Sequence, residues 1–372
     1  MWTSVAAQDT LKVKRLQYGG YVKDLQSLTY RENFTNLVTG NLIHNRLNIK
    51  WLPSSRITGA VELRNRLFWG EEVFLTPDFS SRLRNSNEAF DLSLNWIDED
   101  RMVLNTNIDR LWFEYQQEKW NVRLGRQRIN WGIGTTWNPN DLFNTFNFLD
   151  FDYEERPGAD AIKFQYLTGE MSHLEMAFSI SERDREKIAA AKYFMNVANY
   201  DLQFIAGWFH QQPTLGFGWS GSIKETGFKG EIQYYFLRGS DPEHLNFSVE
   251  ADHVLEKGWY LSAGFLFNNL GLEKVPLVEE ISMLEMSPRN LMPTKWNTVF
   301  TVSKEITPLM TASATTIYTP ATNLVIILPT FTFSLTENVD INLVWQSFFG
   351  ELPATGFDDL SHRAFLRIKW SY

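Results

Sequence analysis

Cysteine is absent from the 372-residue sequence, which removes disulfide frameworks, thiolate metal sites and cysteine nucleophiles together. Long apolar runs are missing as well. No segment approaches the roughly 18 consecutive apolar residues that a spanning helix requires, and the longest aliphatic run, Leu324 to Leu328, stops at Pro329. Basic blocks are also lacking: 35 Lys and Arg stand against 44 Asp and Glu, a formal charge of -9. Nothing could neutralise a phosphate backbone, which argues against a nucleic-acid partner. Neither an internal repeat nor a linker divides the chain.

What is present is alternation. Hydrophobic residues make up 44% and aromatics 15%, yet the mean hydropathy is negative, because apolar and polar residues take turns instead of clustering. A strand sends successive side chains to opposite faces. In one hairpin Ile43, Leu47, Ile49 and Trp51 oppose His44, Arg46, Asn48 and Lys50, and Ile57, Val61, Leu63 and Leu67 oppose Thr58, Glu62, Arg64 and Arg66. Later, Leu245, Phe247, Val249 and Ala251 oppose Asn246, Ser248, Glu250 and Asp252, and Val339, Ile341, Leu343 and Trp345 oppose Asp340, Asn342 and Gln346. The last strand sets Ala364, Leu366, Ile368, Trp370 and Tyr372 against Arg363, Arg367, Lys369 and Ser371, with Phe365 the exception. One such strand suits a soluble sandwich as well as a membrane wall.

The connections separate the two. With a weak first strand near Gln17 to Leu25, every second connection is brief: Pro53-Ser54-Ser55, Gln117-Glu118, Thr168-Gly169-Glu170, Asn199-Tyr200-Asp201, Lys224-Glu225-Thr226, Glu256-Lys257-Gly258, Glu305-Ile306-Thr307 and Thr336-Glu337-Asn338. The intervening ones include all the long ones, Ser27 to Val38, Phe68 to Asp100, Gly132 to Gly158 and Gly271 to Leu291. Short turns on one side and long loops on the other are the topology of an outer-membrane barrel. The expected fold is therefore an all-β, transmembrane, antiparallel up-and-down barrel of about 18 strands, or about 16 if weak segments are loops. Phe90 to Trp96 reads as a further strand or as a hairpin inside its long loop. Residues 1–10, with the small residues Ser4, Ala6 and Ala7, read as the remnant of a signal peptide or as a flexible terminus. Residues 11–372 form one barrel domain.

The segment from Leu111 to Tyr166 carries the distinctive chemistry. Arg110, Trp112 and Glu114 oppose Leu111, Phe113 and Tyr115; Arg123 opposes Val122 and Leu124; Lys163 and Gln165 oppose Ile162, Phe164 and Tyr166. Arg126 and Arg128 then have outward parity. A lipid-facing Arg at the midplane costs about 2–4 kcal/mol, so they lie near the headgroups or Gly125 is a bulge that turns them inward; the bulge is the favoured expectation. The loop 132–158 is rich in aromatics, and folding into the lumen would bury its rings. Asp150, Asp152, Glu154 and Glu155, with Arg156 among them, would then face the basic wall as a constriction, or hold the loop on the rim as salt bridges.

Two resemblances join here. Gly125-Arg126-Gln127, followed by Trp131-Gly132 and Asn138-Pro139, resembles porin-like outer-membrane barrels, including the alginate-export and related eighteen-stranded families, over about fifty residues. The terminal Tyr372 resembles the signal that hands such barrels to their assembly machinery. The resemblance implies a Gram-negative outer membrane, contact with its lipids and lipopolysaccharide, and a water-filled channel for small polar or saccharide solutes. The alternatives are surface polysaccharide export or attachment, and a plugged structural or adhesive barrel.

The candidate pore-lining or constriction residues are Arg110, Glu114, Arg123, Arg126, Arg128, Lys163, Asp150, Asp152, Glu154, Arg156 and Arg367. No cofactor is expected, and oligomeric state is not legible. The acidic run could hold Ca²⁺ but lacks the Gly-containing twelve-residue loop. The six histidines fall in no zinc or hydrolase spacing; His173 or His253 meeting a serine is the one enzymatic arrangement left open.

Overall fold

Alternation of this kind has one stable outcome in lipid: every backbone group must pair, so the sheet must close. In the computed structural model, residues 15–31, 34–83, 88–144, 149, 156, 158–182, 186–273, 287–320, 322–352 and 356–372 are described. The expected N-terminal segment lies outside them. The strands are β1 Leu16–Arg31, β2 Thr35–Ser54, β3 Ile57–Gly70, β4 Ser93–Glu99, β5 Met102–Gln116, β6 Trp120–Gln127, β7 Ala159–Gly169, β8 Ser172–Ser179, β9 Ile188–Val197 and β10 Tyr200–Phe209. They continue as β11 Gln212–Ile223, β12 Thr226–Tyr235, β13 His244–Leu255, β14 Trp259–Asn268, β15 Trp296–Thr307, β16 Met310–Thr319, β17 Leu324–Thr336, β18 Val339–Leu352 and β19 Gly356–Ser371. Two short helices, α1 Glu71–Leu75 and α2 Phe79–Arg82, sit in the connection after β3.

Sequential strands pair antiparallel, and β1 pairs with β19, from Tyr21 opposite Ser371 to Tyr30 opposite His362. The exception is β4. Since β3 pairs directly with β5, β4 is not a separate stave, and eighteen strands close the barrel. β5 shares its other edge between two partners, residues 102–107 with β4 and residues 111–116 with β6. β6 is short because the chain leaves the wall after Gln127, and β4 covers the β5 edge that it vacates.

The outward parity is apolar and exposed, as in Leu124, Phe204, Leu343, Leu366, Ile368 and Trp370. Lys23, Arg46, Asn105, Asn246 and Gln346 on the opposite parity are buried. An apolar belt around a closed, polar-lined sheet is a membrane-spanning barrel. At the closure Tyr372 and Gly20 exchange backbone hydrogen bonds of 3.0 and 3.1 Å. The Tyr372 hydroxyl donates to the Arg46 carbonyl at 3.0 Å, crossing Gly20, where a Cβ would meet both groups.

One loop boundary differs from expectation. Ser27 to Val38 is mostly strand, with Ser27 opposite Gly40 and Thr29 opposite Val38; its mixed polarity hides the period, while the ladder and a Ser27 hydroxyl bond to the Gly40 carbonyl at 3.2 Å hold the pairing. The long loop after β3 contains the expected extra strand, found at 93–99. Part of the loop between β14 and β15 turns inward. Asn246 donates to the Pro288 carbonyl at 2.6 Å, and Leu291 and Met292 are buried against Leu266, Val299 and Ile317. The aliphatic run at 324–328 has its reason here, since Leu324, Ile326 and Leu328 pack into that same interior cluster.

Candidate functional site

Cations gather on the inward face of the β19–β1–β2–β3 quarter of the wall. Lys369 lies opposite Lys23, Lys23 opposite His44, and His44 opposite Arg66, making one row across four strands. The Tyr21 ring lies beneath two of them, 4.6 Å from Lys369 Nζ and 5.4 Å from Lys23 Nζ, a cation–π contact that orients both ammonium groups on the wall. One step along, Arg46 lies opposite Arg64. Arg367 is buried, with its guanidinium on Asn342 Oδ1 at 3.0 and 2.9 Å.

A bulge sharpens this wall. The β3–β5 register passes from Glu62 opposite Arg110 to Leu63 opposite Ile108, leaving Asp109 as the extra residue. Asp109 and Arg110 consequently both turn inward and are both buried, as expected where two residues oppose one. Asp109 receives Arg46 at 2.6 Å and Arg64 at 3.1 Å. Arg110 donates to the Asp109 carbonyl at 2.8 Å and to the Arg156 carbonyl. Below, Glu114 is opposite Arg123 and Arg123 opposite Lys163. Arg123 holds Glu114 at 2.8 Å and lies 4.1 Å over the Trp112 ring.

The chain from Arg128 to Asn144, with Leu149, runs along inward-facing side chains. Gln203 donates to the Trp131 carbonyl at 2.8 Å, Ser248 to that of Trp137 at 3.3 Å, and Gln346 to that of Leu149 at 2.9 Å, so one segment touches β10, β13 and β18. Carboxylates hold it. Glu231 accepts the backbone N–H groups of Ile133, Gly134 at 3.0 Å and Asn140 at 2.7 Å. Glu250 accepts those of Thr135 at 2.8 Å and Thr136 at 2.9 Å. Glu175 accepts the Trp131 indole N–H. Ile129, Trp131, Leu142 and Phe143 pack on Ala177, Ile205 and Phe209, so this stretch of the inner wall is apolar where a ring covers it. Glu175, Glu231 and Glu250 were not singled out as site residues from sequence; their signal was a carboxylate on the polar parity of a strand.

Arg156 donates to Asp141 Oδ2 and to Asn130 Oδ1, both at 2.8 Å. Burial pushes the Asp141 carboxyl up to about 6, against the opposing pull of Arg156 and the Trp131 N–H. Arg128, exposed at the start of the segment, also favours the Asp141 carboxylate. Asp150, Asp152, Glu154 and Glu155 lie outside the described residues.

Arg126 is elsewhere. Gly125 has φ 114°, yet β6 pairs with β5 and β7 without a register shift, so the expected flip is absent and Arg126 keeps the outward parity of Leu124. Its charge is met locally instead. Arg126 lies 2.9 Å from Asp160 and 2.7 Å from Glu88, and donates to the carbonyls of Phe90 and Ile108. A glycine tolerates φ 114° and the close approach of the Leu111 carbonyl, where a Cβ would fall 2.2 Å away, without displacing the ladder. Gln127 holds the Ala161 carbonyl at 2.9 Å.

His173 stacks on Phe194 at 5.0 Å and His253 bonds the Thr226 hydroxyl at 3.1 Å. A Ser–His–Asp contact occurs at another histidine: His362 Nδ1 is 2.9 Å from Ser347 Oγ and Nε2 is 3.1 Å from Asp359. Ser347 and His362 are paired on both flanks, so their backbone N–H groups are engaged in ladders rather than aimed at an oxyanion. The three side chains clamp β18 to β19.

No protein-family model matches the sequence, and no curated protein sequence matches it. Solved structures do. Acinetobacter baumannii OccAB3 is similar over 96% of this chain and 99% of its own, with a TM-score of 0.62 and 8% identity. Acinetobacter baumannii OccAB4 matches over 97% and 99%, with 0.62 and 8%, and Pseudomonas aeruginosa OccK9 (OpdG) over 96% and 98%, with 0.60 and 11%. At this identity the fold is shared and nothing specific to alginate export is. The chain has the closed, antiparallel barrel fold of these Occ proteins across nearly its whole length.

Proposed function

We propose that the chain is a non-enzymatic channel of the Gram-negative outer membrane, through which small polar solutes, anionic ones above all, diffuse without energy coupling. One observation carries the reading: the row Lys369–Lys23–His44–Arg66 on the inward wall, facing an interior narrowed by a segment that reaches β10, β13 and β18. Cations fixed along one wall form a path on which an anion exchanges one partner for the next. Arg110, Glu114, Arg123, Lys163, Arg156 and Arg367 belong to this lining or to the constriction beside it; Arg126, on the outward parity, does not. The Occ likeness supports the architecture of the reading. The short-turn side, where Tyr372 ends, faces the periplasm, and the terminal strand is the contact with the assembly machinery.

The test is reversal potential across a salt gradient in planar bilayers. Anion preference is expected, reduced by Arg66→Gln with Lys369→Gln. Absence of conductance would defeat the channel reading, and cation preference unaffected by these substitutions would defeat its anionic part. Conductance blocked by one anionic oligosaccharide would favour a polysaccharide path instead.

A further inference from the structure

We propose that the outer wall holds a single lipid acyl chain in a cleft formed where residues 88–92 cross the loop-side ends of β6, β7 and β8. The strap is tied down by polar contacts at its base. Ala89 and Phe90 donate their N–H groups to Asp160 at 2.9 and 3.1 Å, and Glu88 pairs with Arg126. These contacts satisfy a charge pair on a face otherwise turned to hydrocarbon. Beyond them the Leu92 carbonyl accepts the Ile108 N–H of β5 at 3.1 Å, which fixes the far end of the strap to the wall. Between strap and wall lies a cavity of about 420 Å³, lined by Phe90, Leu92, Leu124, Ile162, Phe178 and Ile180.

The occupant follows from position. Leu124, Ile162 and Phe178 are exposed members of the apolar belt, so the cleft is continuous with the surface that lipid covers. A flat barrel wall lets chains slide past, whereas a strapped recess contacts a chain on more than one side and retains it. The mouth opens on hydrocarbon and the lining is apolar apart from Arg126 and Asp160, which are paired with each other, so the cleft favours an acyl chain over water. The cleft lies at the loop-side ends of its strands, which selects the leaflet on that side.

The experiment is photolabelling of the intact protein in phosphatidylcholine vesicles carrying a phospholipid with a diazirine in its acyl chain, followed by peptide mapping. Adducts are expected at 88–92 and 178–180, several-fold above Trp208 and Leu215, which are outward residues also near loop-side strand ends. Leu124→Trp and Ile162→Trp fill the cleft and should remove the excess. Phe90→Ala opens one wall and should lower labelling at Phe178 while leaving the ladder untouched, a control against misfolding. Uniform labelling of the belt, an excess that survives both filling variants, or crosslinks to a second copy at these residues would overturn the proposal.

Discussion

Arg46 Nη1 stands 2.6 Å from Asp109 Oδ2, with the whole of β3 between their strands. The contact exists because a bulge adds one residue to β5 and turns Asp109 inward. Arg46 is fully buried and also pairs with Glu62. Glu62 remains to Arg46, but the largely buried Arg64 also relies on Asp109 at 3.1 Å, and breaking a buried pair costs about 3–5 kcal/mol. Asp109→Asn should lower stability to urea in lipid vesicles by that order. A loss below about 1 kcal/mol would mean that the arginines are hydrated like a surface pair.

Glu231 gathers three backbone N–H groups of the inner segment onto one carboxylate. Hydrogen bonds to a charged group contribute about 1.5–3 kcal/mol each. Glu231→Gln keeps the shape but removes the charge and places a donor where only acceptors fit. Single-channel conductance should rise and become noisier as 133–140 loosens. Unchanged conductance would show that the segment does not limit the passage.

Asp141 links that segment to Arg156, and its carboxyl is held near 6 against an ordinary 3.8. A pKa raised on folding stabilises fully below the unfolded value, and that contribution is lost as pH rises through the folded one. Hydrogen-exchange protection of 129–144, corrected for intrinsic rates, should therefore fall as pH rises from about 4 through about 6. Asp141→Asn should flatten the profile. An unaltered profile would assign the change to another group.

Gly20 lies where the barrel closes, and a Cβ there would fall 2.0 Å from the Arg46 carbonyl oxygen. Gly20→Ala should impair assembly, seen as loss of the heat-modifiable band on semi-native gels. Tyr372→Phe, losing the hydroxyl's bonds to the Arg46 carbonyl and from the Asn45 amide but not the ring, should cost about 1–3 kcal/mol and still assemble. Normal assembly of Gly20→Ala would show that β1 and β2 separate there at little cost.

Much of the wall was readable residue by residue. Leu124 outward and Arg123 inward follow from parity, as do Asn246 and Gln346, because a strand's two faces meet two different solvents. Readability ended where a side chain's neighbour is remote. The bulge was expected at Gly125, whose residue type permits it, but it occurs at Asp109, whose justification is Arg46 on β2 and Arg64 on β3. On parity alone Arg126 needs a register flip, because the strap that meets its charge lies more than thirty residues earlier.

Period-two alternation and the two-sided turn pattern by themselves determined a closed barrel in a membrane, since hydrocarbon admits no unpaired backbone and selects one face of every strand. Only the tertiary structure decided what fills the interior. The contacts of Glu231, Glu250 and Gln346 with the inner segment join residues about ninety to two hundred positions apart, and hydrogen bonds of that reach leave no local period to read.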